Sequence, residues 1–195
     1  MSARQAEIKR ATKETQVSCQ LNLDGTGRVR VATGLGFLDH LLTSLAHHAR
    51  FNLTLECKGD LQIDDHHTME DCALVLGAAL DQALGDKRGV TRFGYAYAPM
   101  DEALARAVID LSGRPFAAVS LDLKRPMLGD LAAENIEHFL ASFATAAKLA
   151  LHVDLLRGQN DHHRAEAAFK ATALALRQAV ALTGFDEVPS TKGAL

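Results

Sequence analysis

Asp65-His66-His67-Thr68-Met69-Glu70 recurs as Asp161-His162-His163-Arg164-Ala165-Glu166, 96 residues further on (66 to 162) in a chain of 195. The flanks repeat as well. Leu38-Asp39-His40-Leu41-Leu42 has its counterpart in Ile136-Glu137-His138-Phe139-Leu140, an offset of 98 (40 to 138). Each half therefore supplies an acidic–His pair and, further along, a His-His-x-x-Glu. Duplication of a fold preserves core positions; a duplicated set of imidazoles and carboxylates points to two related metal sites.

The elements around these motifs repeat in the same order. Gln16 to Leu23 alternates polar and apolar, as a half-buried strand does. Asp24-Gly25-Thr26-Gly27 is a turn signal and Arg28-Val29-Arg30-Val31 alternates again, which predicts a hairpin. Leu38, Leu41, Leu42 and Leu45 recur at helical spacing, Phe51 to Cys57 returns to strand character, and His67 to Leu84 is helical up to Gly85. The second half predicts strands over 92–98, 105–111 and 116–123, a helix over 132–149, a strand over 151–156 and a helix over 164–182. The chain is thus expected to be α+β, with duplicated β-β(-β)-α-β-α units and sheets carrying helices on one face. The repeats span about 8–88 and 89–185 of one domain. They meet near Gly85-Asp86-Lys87-Arg88-Gly89 without a flexible linker, and a C-terminal tail follows.

Composition narrows the function. An apolar fraction of 48% is ample for a packed core, and a net charge of −3 with dispersed Lys and Arg argues against nucleic acid. Cys19, Cys57 and Cys72 have no C-x-x-C spacing and are odd in number, which suits reduced thiols in a cytoplasmic protein. The first residues are polar, without the apolar core of a secretion signal, and the longest apolar run is too short to span a bilayer.

A His and a Glu three residues apart on a helix share a face. His67 with Glu70, and His163 with Glu166, can each chelate one ion. His66 and His162 lie one residue earlier, which suggests an exchange. One expected site is His40, His67, Glu70 and His162; the other is His66, His138, His163 and Glu166. Such N/O sets suit Mn²⁺, Fe²⁺, Co²⁺ or Zn²⁺, and the lack of thiolates argues against structural zinc. A single His-His-x-x-Glu would more often be an exposed helix start with Asp65 as N-cap. Two copies, each with its own upstream His, reverse that reading. His47 and His152 have no such support.

At these residues the chain closely resembles imidazoleglycerol-phosphate dehydratase. The matching stretches are Arg10-Ala-Thr-Lys-Glu-Thr15, Thr33-Gly-Leu-Gly-Phe-Leu-Asp-His40, Gly59 to Asp71, Arg92-Phe-Gly-Tyr-Ala, Asp110-Leu-Ser-Gly-Arg-Pro115, Gly158 to Glu166 and Pro189-Ser-Thr-Lys-Gly193. The likeness runs over essentially the whole chain, and no second catalytic domain is in view. It implies dehydration of D-erythro-imidazole glycerol phosphate to imidazole acetol phosphate in histidine biosynthesis, with two Mn²⁺ ions holding the ring as an imidazolate. It further implies that Glu14 faces the substrate as an acid/base. His66, His67, Glu70 and Glu166 join Glu14 as the catalytic set. Arg92, Arg114, Lys170, Ser190 and Lys192 are expected to bind phosphate, and His48 to touch substrate. The family assembles as an octahedral homo-oligomer of 24 chains with active sites between subunits. Two other readings compete: a dinuclear metal phosphoesterase, and a metal-ordered structural assembly.

Overall fold

The computed structural model describes residues 3–195. Its first half contains β1 (Gln5–Ala11), β2 (Thr15–Asn22), β3 (Val29–Ala32), α1 (Gly36–Ala49), β4 (Asn52–Gly59) and α2 (His66–Leu84). The second half contains β5 (Phe93–Met100), β6 (Ala103–Asp110) and β7 (Phe116–Ser120), then the short ribbon β8 (Met127–Leu128) and β9 (Leu131–Ala132). It ends with α3 (Ala133–Ala146), β10 (Ala150–Arg157) and α4 (Asp161–Ala179). The sheets have matching strand orders, β1-β2-β4-β3 and β5-β6-β10-β7. The expected duplicated α+β architecture is therefore present, with helices on one face of each sheet.

One local expectation fails, and one strand goes unanticipated, each for a physical reason. β3 does not form a hairpin with β2; it pairs parallel to β4, with Val29 opposite Leu53 and Val31 opposite Leu55. Both edges of β2 are already taken, by β1 and by β4. The Asp24–Gly27 turn instead passes over the start of β4, where Asn52 Oδ1 accepts from the Thr26 and Arg28 amides. A Cβ on Gly25 would lie 2.3 Å from the Asn52 nitrogen, so only glycine permits that crossing. β1 left no alternating apolar signal because it is an edge strand: Ala6 alone is buried, Glu7 and Lys9 face out, and the inner face ends in Arg10, which reaches Asp71 of α2.

The alternating buried residues of each sheet meet the apolar faces of its helices. α1 and α2 lie on the first sheet, α3 and α4 on the second, and the helix layers join as α1 against α4 and α2 against α3. Leu38, Leu41 and Leu42 of α1 are fully buried, each stabilising by about 1.5–3 kcal/mol relative to exposure. Phe139 and Phe169 pack at 5.8 Å within the second half. α2 and α3 come so close that a Cβ on Gly77 would stand 2.5 Å from the Phe143 carbonyl. The two helix seams are therefore the surfaces where one half meets the other. Both candidate metal clusters lie on them.

Helix starts are set from outside as often as from within. Leu35 offers α1 no side-chain cap, and Asp130 of the β8–β9 turn accepts from the Gly36 and Phe37 amides at 2.6 and 3.1 Å. Asp65 occupies the N-cap position of α2 without capping it; its carboxylate accepts from the Ala132 amide instead. Asn160 caps α4 through the His162 amide.

Candidate metal centres

α4 presents His162 and Glu166 one turn apart, 3.4 Å between Nε2 and Oε2, and α1 brings His40 Nε2 to 3.5 Å from the same carboxylate. At the other seam, His66, Glu70 and His138 offer ligand atoms within 4.8 Å of one another. His138 Nε2 lies 3.3 Å from Glu70 Oε1, and the His66 and His138 rings stack at 5.0 Å. Each cluster thus takes a His-x-x-x-Glu pair from one half and a histidine from the other. The expected exchange of His66 and His162 does not occur within the chain. It is the upstream histidines, His40 and His138, that cross. The reason is helical geometry: a side chain four residues before Glu lies about 40° from it around the axis, against about 60° for three, so His66 competes well with His67.

His67 and His163 stand apart from both clusters. Their Nδ1 atoms point at carboxylates, Asp60 for His67 at 3.1 Å and Glu102 for His163 at 2.7 Å. These bonds raise the pKa of both imidazoles above the ordinary histidine value. Each Nε2 faces a second acid across a longer gap, Glu14 at 3.9 Å and Asp101 at 3.7 Å. A carboxylate on Nδ1 is the usual support for a metal-binding imidazole, because it fixes the tautomer and aims Nε2 outward. His66 has similar support, from Asn135 Oδ1 at 3.1 Å. Glu102 is held low, at about 2, by the Asn160 amide first, then by His163 and the Gln159 amide.

The acids beside the upstream histidines lie outside both clusters. Asp39 accepts from the Thr33 amide and hydroxyl, and Glu137 from the Leu121 amide, each holding the loop before its helix. Burial works to raise the pKa of Glu166, but the Lys170 ammonium at 2.8 Å, with help from His40, wins and keeps it ionised. His48 is held below the usual histidine value by burial first and then by the charge of Lys170. His48, Lys170 and Glu166 are therefore neighbours. His47 leans on the Gly27 carbonyl and His152 packs on Phe116, both outside the clusters.

The remaining phosphate candidates gather elsewhere. Arg92 pairs with Asp110 at 2.7 Å and donates to the Pro189 carbonyl, holding the tail that carries Ser190 and Lys192. Arg114 follows Gly113, which packs on the last residue, Leu195. The Arg92 amide donates to the Ala179 carbonyl at the far end of α4. Thirteen residues separate Ala179 from Glu166, about 20 Å of helix. Within one chain the tail cluster and the Glu166 cluster are too far apart to hold one small molecule.

Asp60, Asp101, Glu102 and Asn135 were not anticipated from the sequence. Glu102 had a findable signal, since it occupies the same place in the β5–β6 turn as Glu14 in the β1–β2 turn. Asp60 had none.

Fold and site together define a duplicated α+β protein with a histidine–carboxylate cluster at each seam, suited to divalent transition ions. A sequence model of the family "Imidazoleglycerol-phosphate dehydratase" matches residues 33–176. Relatives of that name include one from Candida glabrata, 54% identical over 97% of this chain and 99% of its own length. Another, from Phytophthora nicotianae, is 60% identical over 98% of this chain, which spans only 42% of that longer protein. Among solved structures, the Staphylococcus aureus dehydratase is similar with a TM-score of 0.83 and 36% identity, covering 92% of this chain and 99% of that one. The Pyrococcus furiosus protein gives 0.84 and 34%, covering 96% and 100%. The chain belongs to the imidazoleglycerol-phosphate dehydratase family, hydro-lyases of histidine biosynthesis. Among the described residues no helix is long and apolar enough to cross a membrane.

Proposed function

We propose that the protein binds two divalent ions, Mn²⁺ foremost, and dehydrates imidazole glycerol phosphate to imidazole acetol phosphate through residues of more than one chain. The observation that carries this reading is the mismatch between ligands and sites. Each seam cluster supplies three ligands, which leaves coordination positions open, while His67 and His163 are braced on Nδ1 with no cluster of their own. The economical resolution is that each projects into a cluster of a neighbouring copy. His40, His162 and Glu166 hold one ion, and His66, Glu70 and His138 the other. When bound, the ions act as Lewis acids that withdraw electron density from an imidazole ring.

The chain's own groups do the rest. Glu14 Oε1 lies 3.9 Å from His67 Nε2 and is half exposed, so a neighbouring copy that receives His67 receives a carboxylate with it. That carboxylate moves a proton at the glycerol chain: the hydroxyl beside the ring leaves as water, the next carbon loses its hydrogen, and the enol ketonises. Lys170, beside Glu166, meets the phosphate from the metal side. Arg92, Arg114, Ser190 and Lys192 meet it from another chain's tail, with arginine suited to bidentate contact. The outer face of the second sheet exposes Phe93, Tyr95, Tyr97 and Phe116, apolar surface available to further copies of an octahedral shell of 24. The phosphoesterase reading calls for aspartate-rich ligation, whereas each cluster holds one glutamate.

Turnover of imidazole glycerol phosphate by metal-stripped protein, before and after adding Mn²⁺, tests the reading, with sedimentation alongside. Activity should appear together with large assemblies. Assembly without turnover would remove the substrate and leave a metal-ordered scaffold.

A further inference from the structure

Superposing the two halves by their hairpins places Lys13-Glu14 on Asp101-Glu102, since the Thr12–Thr15 and Met100–Ala103 pairs flank two-residue turns. The twin glutamates are used in opposite ways. Glu102 is fully engaged: one oxygen accepts from the Gln159 and Asn160 amides, the other from His163. It ties its own turn to the start of α4. The Glu14 carboxylate is left without such bonds, and the first hairpin is tied down by another group. Asp71, buried on α2 beside Glu70, accepts through one oxygen from both Arg10 and Thr15, the residues on either side of the turn. Thr12 Oγ1 accepts from the Glu14 and Thr15 amides and completes the brace.

The second half serves as a control inside the same molecule. The positions matching Arg10, Thr15 and Asp71 are Ala98, Ala103 and Ala167, all buried under the same hairpin and helix. The scaffold therefore folds with three alanines there. The polar triad is present only in the half whose turn glutamate is free.

We propose that Asp71, acting through Arg10 and Thr15, is the positioning residue for Glu14, holding that turn at a set distance from the ligand helix α2 while leaving its carboxylate uncommitted. The proposal rests on the reading of Glu14 as the group that moves a proton. Freeing that carboxylate removed the anchor its twin provides, and Asp71 replaces it from the helix side. Because Asp71 adjoins Glu70, Glu14 and the metal-binding residues of α2 are carried as one rigid unit.

The test is a double-mutant cycle on the Mn²⁺-loaded, assembled protein. One variant, R10A/T15A/D71A, gives the first half what the second already has; D71N is the conservative companion if the triple change folds poorly. Each is made with and without E14Q. In the native background kcat should fall roughly 100-fold, the scale of a misplaced reacting group, with KM, metal content and sedimentation unchanged. In the E14Q background the same change should cost less than about twofold, because the two act as one unit. Equal losses in both backgrounds, or a parallel loss of metal, would make Asp71 a support for α2 and overturn the proposal. No loss in either background would also overturn it, leaving the role of Glu14 intact. Full activity in E14Q alone would remove the Glu14 reading, and the positioning role with it.

Discussion

Glu102 and His163 illustrate how a single contact sets the behaviour of two residues. The glutamate, its pKa held down to about 2 by the Asn160 amide, His163 and the Gln159 amide, stays ionised well below the usual carboxylate range. Its folded pKa lies below the ordinary 4.5, so its contribution to stability is complete above pH 4.5 and is lost as pH falls toward 2. Glu102→Gln should flatten acid unfolding over that window, read by circular dichroism between pH 5 and 2; an unchanged acid limb would contradict the assignment. At this scale the sequence was highly legible where the duplication doubled the signal. Every residue of both seam clusters was identified from the paired spacing. Their grouping was not, because offsets of three and four residues share a helix face and only the neighbouring helix decides between them.

Element boundaries followed periodicity closely for the helices and central strands, since burial on one face writes a pattern into them. β1 escaped it because it is a polar edge; the alternation marked β3 but not its partner, which was chosen by which strand edge was free rather than by its own residues. The start of α1 is likewise decided at a distance, by Asp130 from the other half. Asp130→Ala should cost about 1 kcal/mol, the usual worth of a lost helix cap. Thermal unfolding would show it, and because α1 carries His40, weaker metal retention should accompany it. A Tm equal to that of the native chain would mean solvent replaces the cap without cost.

For the whole molecule, the helix seams matter most. They join the halves into one core and place each cluster where both halves contribute. Imidazoles bind metal only when neutral, so ion content should fall between pH 7 and 5 as protons compete for six histidines. Metal analysis after dialysis, with sedimentation at each pH, checks this; if His67 and His163 bridge copies, assemblies should shrink as ions leave. Constant ion content across that range would contradict histidine ligation.

The sequence by itself determined the duplication, the α+β class, the residue types that gather at the seams and the family, because repeated motifs and hydrophobic period are local properties of the chain. Only the tertiary structure decided which histidine meets which glutamate, that His67 and His163 face away braced on Asp60 and Glu102, and that Asp71 grips the Glu14 turn. Apart from the four-residue His–Glu pairs within α2 and α4, those contacts join residues between 7 and 126 positions apart (60 to 67, 40 to 166), brought together by packing of helices and sheets. No local pattern encodes that packing, since the same helical stripe is compatible with several neighbours until the full core selects one.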